Sequence, residues 1–288
     1  MKLTEDQIGQ FENEGYLVVK GALTQDDLLP IIEEYTAYID QRAKQMYDAG
    51  EISDLYEDEP FDRRIWKISR DCLDLYGELD IMKLRGKAIF DFLRNENLMD
   101  VVEGLVGPEI TCSPIQHVRA KLPQGVKDDQ VIPWHQDAGV TLEEADASFI
   151  LTVWLPVTEA DVENGCLEVI PRVKGLKTHH KGPIGTTILP ELMPEVEGVA
   201  LPVSPGDLIL MHKETPHRST PNVSQTVRWS IDLRYQPSGT PTGRPAHPDF
   251  VTRSRSNPAS VLTDHKKWCQ MWEDGLEKGK GMRFHRVN

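Results

Sequence analysis

The chain has 288 residues, of which 39% are hydrophobic and 27% are charged, and its 32 Lys and Arg against 46 Asp and Glu give a net charge of −14. These values are ordinary for a globular protein, so they exclude a disordered or fibrous chain. The acidic balance repels nucleic-acid phosphates and anionic membranes, so neither is an expected partner. Four cysteines without a CxxC spacing favour reduced thiols, and the acidic N-terminus lacks a signal-peptide pattern, so we predict a cytoplasmic protein.

The first elements in chain order are a helix, a strand and a longer helix. Residues 5–14 follow a threonine cap and predict a helix with apolar positions on one face. The β-branched and aromatic run 16–19 predicts a strand. Thr24 begins a second capping pattern, which predicts a helix through Met46, although Pro30 could move the start to its own position.

The next segment differs in character from its neighbours. Residues 48–80 are acidic and irregular, which favours a surface excursion or a lid. Residues 86–106 are again helical in pattern, with apolar residues at helical spacing. Residues 1–107 are therefore expected to form a mostly helical support within a single domain.

Residues 108–236 are predicted to form a β-rich core, and residues 237–288 an extension with one helix from Val261 to Leu276. Short strands separated by turn signals favour a sandwich or barrel, and helices that precede strands favour packing on one side of a sheet. His179 and His180 lie in a stretch rich in Lys and Gly and are predicted to be an exposed loop. The predicted strands are 110–111, 115–121, 149–156, 166–170, 188–189, 199–203, 207–212 and 227–235.

Three separated side chains suggest a metal site. His135 and Asp137 are two residues apart, so in an extended segment both side chains leave the same face. His217 lies 217 − 135 = 82 residues later. Two histidines and one carboxylate with open positions form the facial triad of non-heme Fe(II) oxygenases. Arg228, on an apolar strand, could bind the far carboxylate of a 2-oxo acid, and Ser230 shares its face.

Together these motifs resemble the phytanoyl-CoA dioxygenase family of Fe(II)- and 2-oxoglutarate-dependent oxygenases. The resemblance covers most of the chain and rests on LTEDQIGQFENEGYLVVKGALTQDDL, WHQD, VENGCLEVIP, PHRST and the spacing to Arg228. It implies a mainly β fold with supporting helices around a double-stranded β-helix, the cupin-like jelly-roll. It also implies that His135, Asp137 and His217 hold the iron.

The same resemblance extends to the co-substrate pocket. It implies that His117 and Lys121 line the 2-oxoglutarate pocket and that Trp154 lies near the co-substrate. The sequence departs from the family pattern after Pro171, where the family commonly continues Gly-Ser-His-Lys.

The resemblance implies an enzyme that uses Fe(II), 2-oxoglutarate and O₂, hydroxylates a C–H bond and releases succinate and CO₂. We expect a small metabolite or a natural-product intermediate as substrate, because the acidic chain shows no basic cluster near the pocket motifs for the phosphates of an acyl-CoA. The alternatives are an acyl-CoA hydroxylase, a cupin-type metal enzyme that does not use 2-oxoglutarate, and a non-catalytic metal-binding relative. Oligomeric state is not readable from the sequence.

Overall fold

The computed structural model describes residues 1–127, 131–182 and 185–287. Within these residues the strands form three antiparallel sheets with helices packed on one side. No helix in the described ranges is long and apolar enough to cross a membrane. The helices are α1 (Glu5–Glu14), α2 (Gln25–Asp48), α3 (Phe61–Asp71), α4 (Ile81–Leu84), α5 (Lys87–Phe92), α6 (Glu96–Val106) and α7 (His265–Lys278). The strands are β1 (Tyr16–Val19), β2 (Glu109–Cys112), β3 (His117–Lys121), β4 (Leu151–Pro156), β5 (Leu167–Val169), β6 (His179–Lys181), β7 (Thr186–Ile188), β8 (Val199–Leu201), β9 (Leu208–His212), β10 (His217–Ser219), β11 (Arg228–Pro237) and β12 (Phe250–Ser254).

The two larger sheets face each other and enclose the functional cavity. The large sheet has the order β1-β9-β4-β11-β2-β12, and β3 also pairs with β11. The smaller sheet is β10-β5-β8. Apolar residues of β4 and β9 pack against those of β5 and β8 in one buried cluster, which joins the sheets at one side. This architecture confirms the predicted jelly-roll with supporting helices. Strands β1 and β12 come from outside residues 108–236 and occupy the two edges of the large sheet.

Strand β11 separates the core from the cavity because successive side chains on a strand point to opposite faces. Its apolar residues enter the main core under the helices, where Trp229 stacks on Phe61 with ring centroids 4.7 Å apart. The hydroxyl of Tyr235 donates a hydrogen bond to the Leu93 carbonyl at 2.8 Å. The cavity face of the strand carries the polar residues Arg228, Ser230, Asp232 and Arg234.

The prediction of an irregular surface excursion over residues 48–80 is wrong. Helix α3 forms there, and its apolar side packs into the main core with Ile65 and Ile68 fully buried. The helix was not predicted because the acidic run EDEP lies just before it, and Pro60, the last residue of that run, occupies the N-cap position. The segment is therefore part of the support under β11.

Other differences from the predicted elements are local. Helix α2 begins at Gln25, where Thr24 and Asp27 form a capping box, so the alternative start at Pro30 is wrong. The predicted helix over 86–106 is two helices, because Asn95 caps α6 with its side chain and interrupts the run. Strands β6, β10 and β12 were not predicted.

Candidate active site

The two histidines His135 and His217 lie side by side on adjacent backbone segments. Each donates its backbone N–H to the carbonyl of the other, at 3.1 and 2.9 Å. The His135 Nδ1 is 2.9 Å from the Pro133 carbonyl, and the His217 Nδ1 is 3.0 Å from the Thr215 carbonyl. Because a carbonyl only accepts, both Nδ1 atoms carry the proton, which leaves each Nε2 with a free lone pair. Burial and the neighbouring His217 lower the pKa of His135 to about 3, so its ring is neutral.

Asp137 completes the group from the start of a 3-10 turn, Asp137–Gly139. Its Oδ1 accepts a hydrogen bond from Arg234 Nη2 at 2.7 Å, and its Oδ2 accepts one from the Thr152 hydroxyl. Burial disfavours the charged carboxylate, but the Arg234 guanidinium and the two imidazoles hold the pKa of Asp137 well below its usual range. The carboxylate is therefore ionised and oriented.

The donor set fits a divalent transition metal. The ligand atoms of His135, Asp137 and His217 all lie within 4.8 Å of one another. A single ion with bonds of about 2.1 Å to each ligand joins atoms that are separated by distances close to this limit. Two imidazole nitrogens and one carboxylate oxygen on one side of an open cavity are the ligands of non-heme iron oxygenases.

His179 supports the turn that carries Asp137, so the prediction of an exposed loop is wrong for this residue. The side chain is buried, and its Nε2 accepts the backbone N–H of Gln136 at 3.0 Å. Its ring lies so close to Gly139 that a Cβ there would be 2.5 Å from it. The side chain of Gln136 also bonds the carbonyl of Glu214. These contacts tie the two ligand-bearing segments together.

Arg228 is a buried guanidinium with an unsatisfied donor. It is 3% exposed, its Nη1 donates to Ser230 Oγ at 2.8 Å, and its Nε is buried without a partner. The guanidinium lies 5.1 Å from the Trp154 ring centroid. Burial and the nearby Arg119 lower the pKa of Arg228 to about 10. A buried cation in this state is stabilised by an anion.

Lys121 lies directly opposite Arg228 in the β3–β11 register. Its Nζ donates to Ser219 Oγ at 2.8 Å. The Asn164-Gly165 turn presses against its side chain, since a Cβ at Gly165 would be 2.8 Å from the Lys121 Cε. Burial, together with the charge of Arg228, lowers the pKa of Lys121 to about 7. The ammonium and the guanidinium thus lie on neighbouring strands at one end of the cavity.

His117 lies farther from this end than the resemblance suggested. It lines the same cavity, but it is opposite Asp232 in the register, four residues along β11 from Arg228. Its Nδ1 is 2.8 Å from Asp80 Oδ2. Its carboxylate partner therefore holds it at the Asp232 end.

The cavity that these residues share has a volume of about 440 Å³ and is strongly basic. Residues from strands far apart in the sequence converge on it, so the expectation of no basic cluster near the pocket is wrong. Ion pairs neutralise two of the guanidiniums, since Arg218 bonds Glu168 and Arg234 bonds both Asp137 and Asp232. The basic residues lining the cavity are Arg119, Lys121, Lys127, Arg218, Arg228, Arg234 and Arg244.

Several cavity residues were missed from the sequence. Arg234 is six residues after Arg228 on one strand, so the alternation of side chains could have placed it on the same face. Thr152 could have been found on similar grounds in β4, but only after the pairing of β4 with β11 was known. Arg244 lies in a loop, where no repeating pattern predicts which way its side chain points.

Comparison with known proteins agrees with this fold. A sequence model of the family described as "Phytanoyl-CoA dioxygenase (PhyH)" matches residues 11–230. The 2-aminoethylphosphonate dioxygenase of an uncultured bacterium, HF130_AEPn_1, is 25% identical over 237 residues, which are 81% of each chain. Phytanoyl-CoA dioxygenase 1 of Oryza sativa subsp. japonica is 24% identical over 266 residues, covering 80% of this chain and 88% of the relative.

Solved structures share the architecture. The apo form of the non-heme monooxygenase ThoJ matches with a TM-score of 0.65 at 17% identity, covering 96% of each chain. The epimerase SnoN, in complex with Fe³⁺, alpha-ketoglutarate and nogalamycin RO, matches with a TM-score of 0.56 at 18% identity, covering 83% of this chain and 86% of its own. At these identities the likeness concerns the fold.

The fold and the His-Asp-His group define a non-heme iron oxygenase. The family match covers well over half of the chain, so the protein belongs to the phytanoyl-CoA dioxygenase family. The predicted family and the predicted enzyme class, an oxygenase that uses iron, 2-oxoglutarate and O₂, are confirmed.

Proposed function

We propose that the protein hydroxylates a C–H bond of a small molecule at the cavity between the two sheets. His135, Asp137 and His217 hold Fe(II), and Arg228 holds the far carboxylate of 2-oxoglutarate. The observation that carries the proposal is the convergence of two free imidazole nitrogens and one ionised carboxylate on a cavity with a buried, unsatisfied guanidinium. When bound, iron and 2-oxoglutarate supply the oxidation of the C–H bond by O₂, with release of succinate and CO₂.

The protein residues position and insulate this chemistry. The backbone carbonyls that accept from each Nδ1 fix the ring orientation of both histidines, as outer partners of ligating imidazoles do. Arg234 keeps Asp137 ionised, so that the carboxylate is ready to bind a cation without losing a proton. Ser230 orients the Arg228 guanidinium, and Trp154 covers one of its faces. Lys121 adds a second positive charge at the same end. His117 bounds the cavity at the other end of β3.

The cavity favours a small substrate. Its volume of about 440 Å³ has to hold 2-oxoglutarate together with the reacting part of the substrate. Relatives carry names that refer to molecules as different in size as 2-aminoethylphosphonate and phytanoyl-CoA. We propose a compact metabolite in preference to an acyl-CoA.

Succinate release tests the proposal. The protein, loaded with Fe(II) and 2-oxoglutarate in air, is incubated with a panel of small metabolites and acyl-CoA thioesters. We expect a compact metabolite to stimulate succinate formation and to be recovered with one added oxygen atom, labelled when the O₂ is isotopically labelled. Stimulation by acyl-CoAs alone would reverse the preferred substrate.

Two variants separate the roles of the site residues. Asp137→Ala removes a proposed metal ligand and is expected to abolish succinate formation. Arg228→Gln is expected to raise the concentration of 2-oxoglutarate needed for turnover. Bound iron without O₂ consumption under any substrate would favour the non-catalytic alternative, and turnover that does not require 2-oxoglutarate would favour the cupin-type enzyme.

A further inference from the structure

Arg244 is a buried cation that forms no ion pair with a carboxylate of the residues the structure describes. It lines the cavity with 6% of its surface exposed. Its Nη1 donates to the carbonyls of Val140 and Gly243, at 3.0 and 3.2 Å, and to that of Phe284. Its Nη2 has one partner in the described part of the chain, His285 Nδ1 at 3.5 Å. Carbonyl oxygens satisfy N–H groups but carry no formal charge, so the positive charge itself is not balanced.

The other charges of the cavity do not balance Arg244. Asp137 and Asp232 are the carboxylates among its described lining residues, and both are bonded to Arg234. The two charges of Fe(II) and those of 2-oxoglutarate cancel when both bind. Arg119 also lines the cavity, but this residue is exposed to solvent. Arg244 therefore remains a buried guanidinium whose charge is paired with neither of these two carboxylates.

Arg244 and Arg228 lie at opposite ends of the site. Arg244 lies near Arg234 and Asp137, whose charges act on it in opposite directions. Arg228 and Arg234 are six residues apart on β11, so their Cα atoms are about 20 Å apart. The end of the cavity at Arg244 is thus separate from the end proposed for 2-oxoglutarate, and the metal ligand Asp137 belongs to the Arg244 end.

The wall that carries Arg244 is held in place by the C-terminal segment, residues 282–287. Phe284 stacks on His247 with ring centroids 4.5 Å apart, and Arg283 Nη2 is 2.8 Å from Glu143 Oε1. Arg286 forms an ion pair with Asp146. Arg244, His247 and the C-terminal segment lie beyond residues 11–230, which the family model matches.

We propose that the substrate carries an anionic oxyacid group, a carboxylate or a phosphonate, that Arg244 binds with His285 at the end of the cavity opposite Arg228. The inference rests on the proposed function, because it names the class of substrate for that site. Backbone carbonyls take up Nη1, so Nη2 supplies the N–H donors for the anion, and the imidazole of His285 lies beside it. Anchoring the anion there places the rest of a small substrate toward the metal ligands.

Calorimetric titration of matched probes tests the proposal. The protein is kept anaerobic with Fe(II) and saturating 2-oxoglutarate, and benzoate, phenylphosphonate and benzamide are titrated in turn. We expect the anions to bind roughly 10- to 100-fold more tightly than neutral benzamide, the range for one hydrogen-bonded charged group. Whichever of the two anions binds more tightly indicates whether the substrate carries a carboxylate or a phosphonate. Equal binding of all three probes by the wild-type protein would overturn the proposal without recourse to any variant.

Variants at the two arginines separate this inference from the proposed function. In Arg244→Gln the preference for anions should disappear while 2-oxoglutarate still binds, and Arg244→Lys should keep part of the preference. In Arg228→Gln, 2-oxoglutarate binding should weaken while the anion preference remains. If 2-oxoglutarate fails to bind wild-type protein, the proposed function fails, and the probes titrated into Arg228→Gln still decide the anion site. A full anion preference in folded Arg244→Gln would contradict the assignment.

Discussion

Arg234 joins the chemistry of the site to the strand that carries it. Its guanidinium bonds two carboxylates, Asp137 and Asp232, and is itself buried. Burial disfavours its charge, but these acids raise the pKa of Arg234 above its usual value. The side-chain partners of its guanidinium in the described structure are these two acids, so we regard it as a positioning residue for Asp137.

Arg234→Gln should weaken metal binding. Without the guanidinium, Asp137 loses both its orientation and the charge that keeps it ionised. Loss of such an outer partner costs about 10- to 100-fold in metal affinity. The measurement is calorimetric titration with Mn(II) under anaerobic conditions.

Arg253 provides the matched control for this substitution. It is also a buried arginine, and it bonds Glu96, Asp100 and Glu103 away from the cavity. Arg253→Gln should lower stability and leave the affinity for Mn(II) unchanged. If both variants weaken the metal equally, the effect belongs to general destabilisation and the positioning role fails.

Lys121 should make 2-oxoglutarate binding dependent on pH. Its pKa is lowered to about 7, chiefly by burial. A bound carboxylate favours the ammonium and raises the pKa of Lys121 in the complex. The contribution of Lys121 is therefore fully present below about pH 7 and is lost as the pH rises through the raised value. We expect weaker binding toward pH 9, with proton uptake measurable by calorimetry in buffers of different ionisation enthalpy.

Lys121→Arg is the control for this titration. A guanidinium remains charged throughout this pH range, so the proton uptake on binding should vanish. A pH dependence that persists in Lys121→Arg would assign it to another group.

The turn Asp137–Gly139 depends on close packing against β6. A Cβ at Gly139 would lie 2.5 Å from the ring of His179, which also accepts the backbone N–H of Gln136. Gly139→Ala should therefore displace the turn and weaken Mn(II) binding about tenfold or more, in line with the loss of an outer partner. Titration calorimetry measures this change.

Gly9→Ala is the matched substitution on helix α1. A Cβ at Gly9 has no atom within 4 Å, and alanine favours the helix by about 0.5–1 kcal/mol. This variant should bind Mn(II) like the wild type and unfold at a slightly higher temperature. Normal metal binding by Gly139→Ala would show that the turn does not need the contact with His179.

Helix α3 should contribute to global stability because it belongs to the core rather than to a mobile cover. Ile65 is fully buried in it. Ile65→Ala should lower the free energy of unfolding by about 2–5 kcal/mol. Leu73→Ala, in the same segment but 41% exposed, should change it by less than about 0.5 kcal/mol. Denaturant unfolding of the two variants distinguishes the cases, and equal small effects would favour a lid.

Local signals predicted the elements that carry their own caps or long patterns. The threonine caps and Gly15 fixed α1 and the start of α2, and the apolar run of β11 was found nearly whole. Strands β6 and β10 have three residues each, which is too short to show an alternation of apolar and polar residues. These strands form by pairing with other strands rather than from a strong pattern of their own, so they could not be predicted from their own residues.

At the scale of the whole molecule, the sequence singled out the three candidate metal ligands that the structure brings together, but it did not predict their surroundings. The HxD motif, the distal histidine and the spacing to the arginine can be recognised in the sequence without knowledge of the fold. Arg244 and Thr152 join them only because β11, β4 and the loop before β12 fold around one cavity. The prediction of ligands therefore needed residue types alone, whereas the prediction of their partners needed tertiary structure.

The net charge of −14 does not describe the charge of the cavity. Charge summed over a chain describes the average field of its surface, and it does not report which residues face inward. Here acidic residues dominate the whole, while arginines from several strands line the interior. The preference for an anionic substrate is thus compatible with an acidic protein.

The visible charge-transfer band of anaerobic protein with Fe(II) and 2-oxoglutarate tests the central claim most directly. We predict a band that saturates at one iron and one 2-oxoglutarate per chain, that disappears in Asp137→Ala, and that requires more 2-oxoglutarate in Arg228→Gln. Absence of the band in wild-type protein, or an undiminished band in Asp137→Ala, would contradict the proposed site.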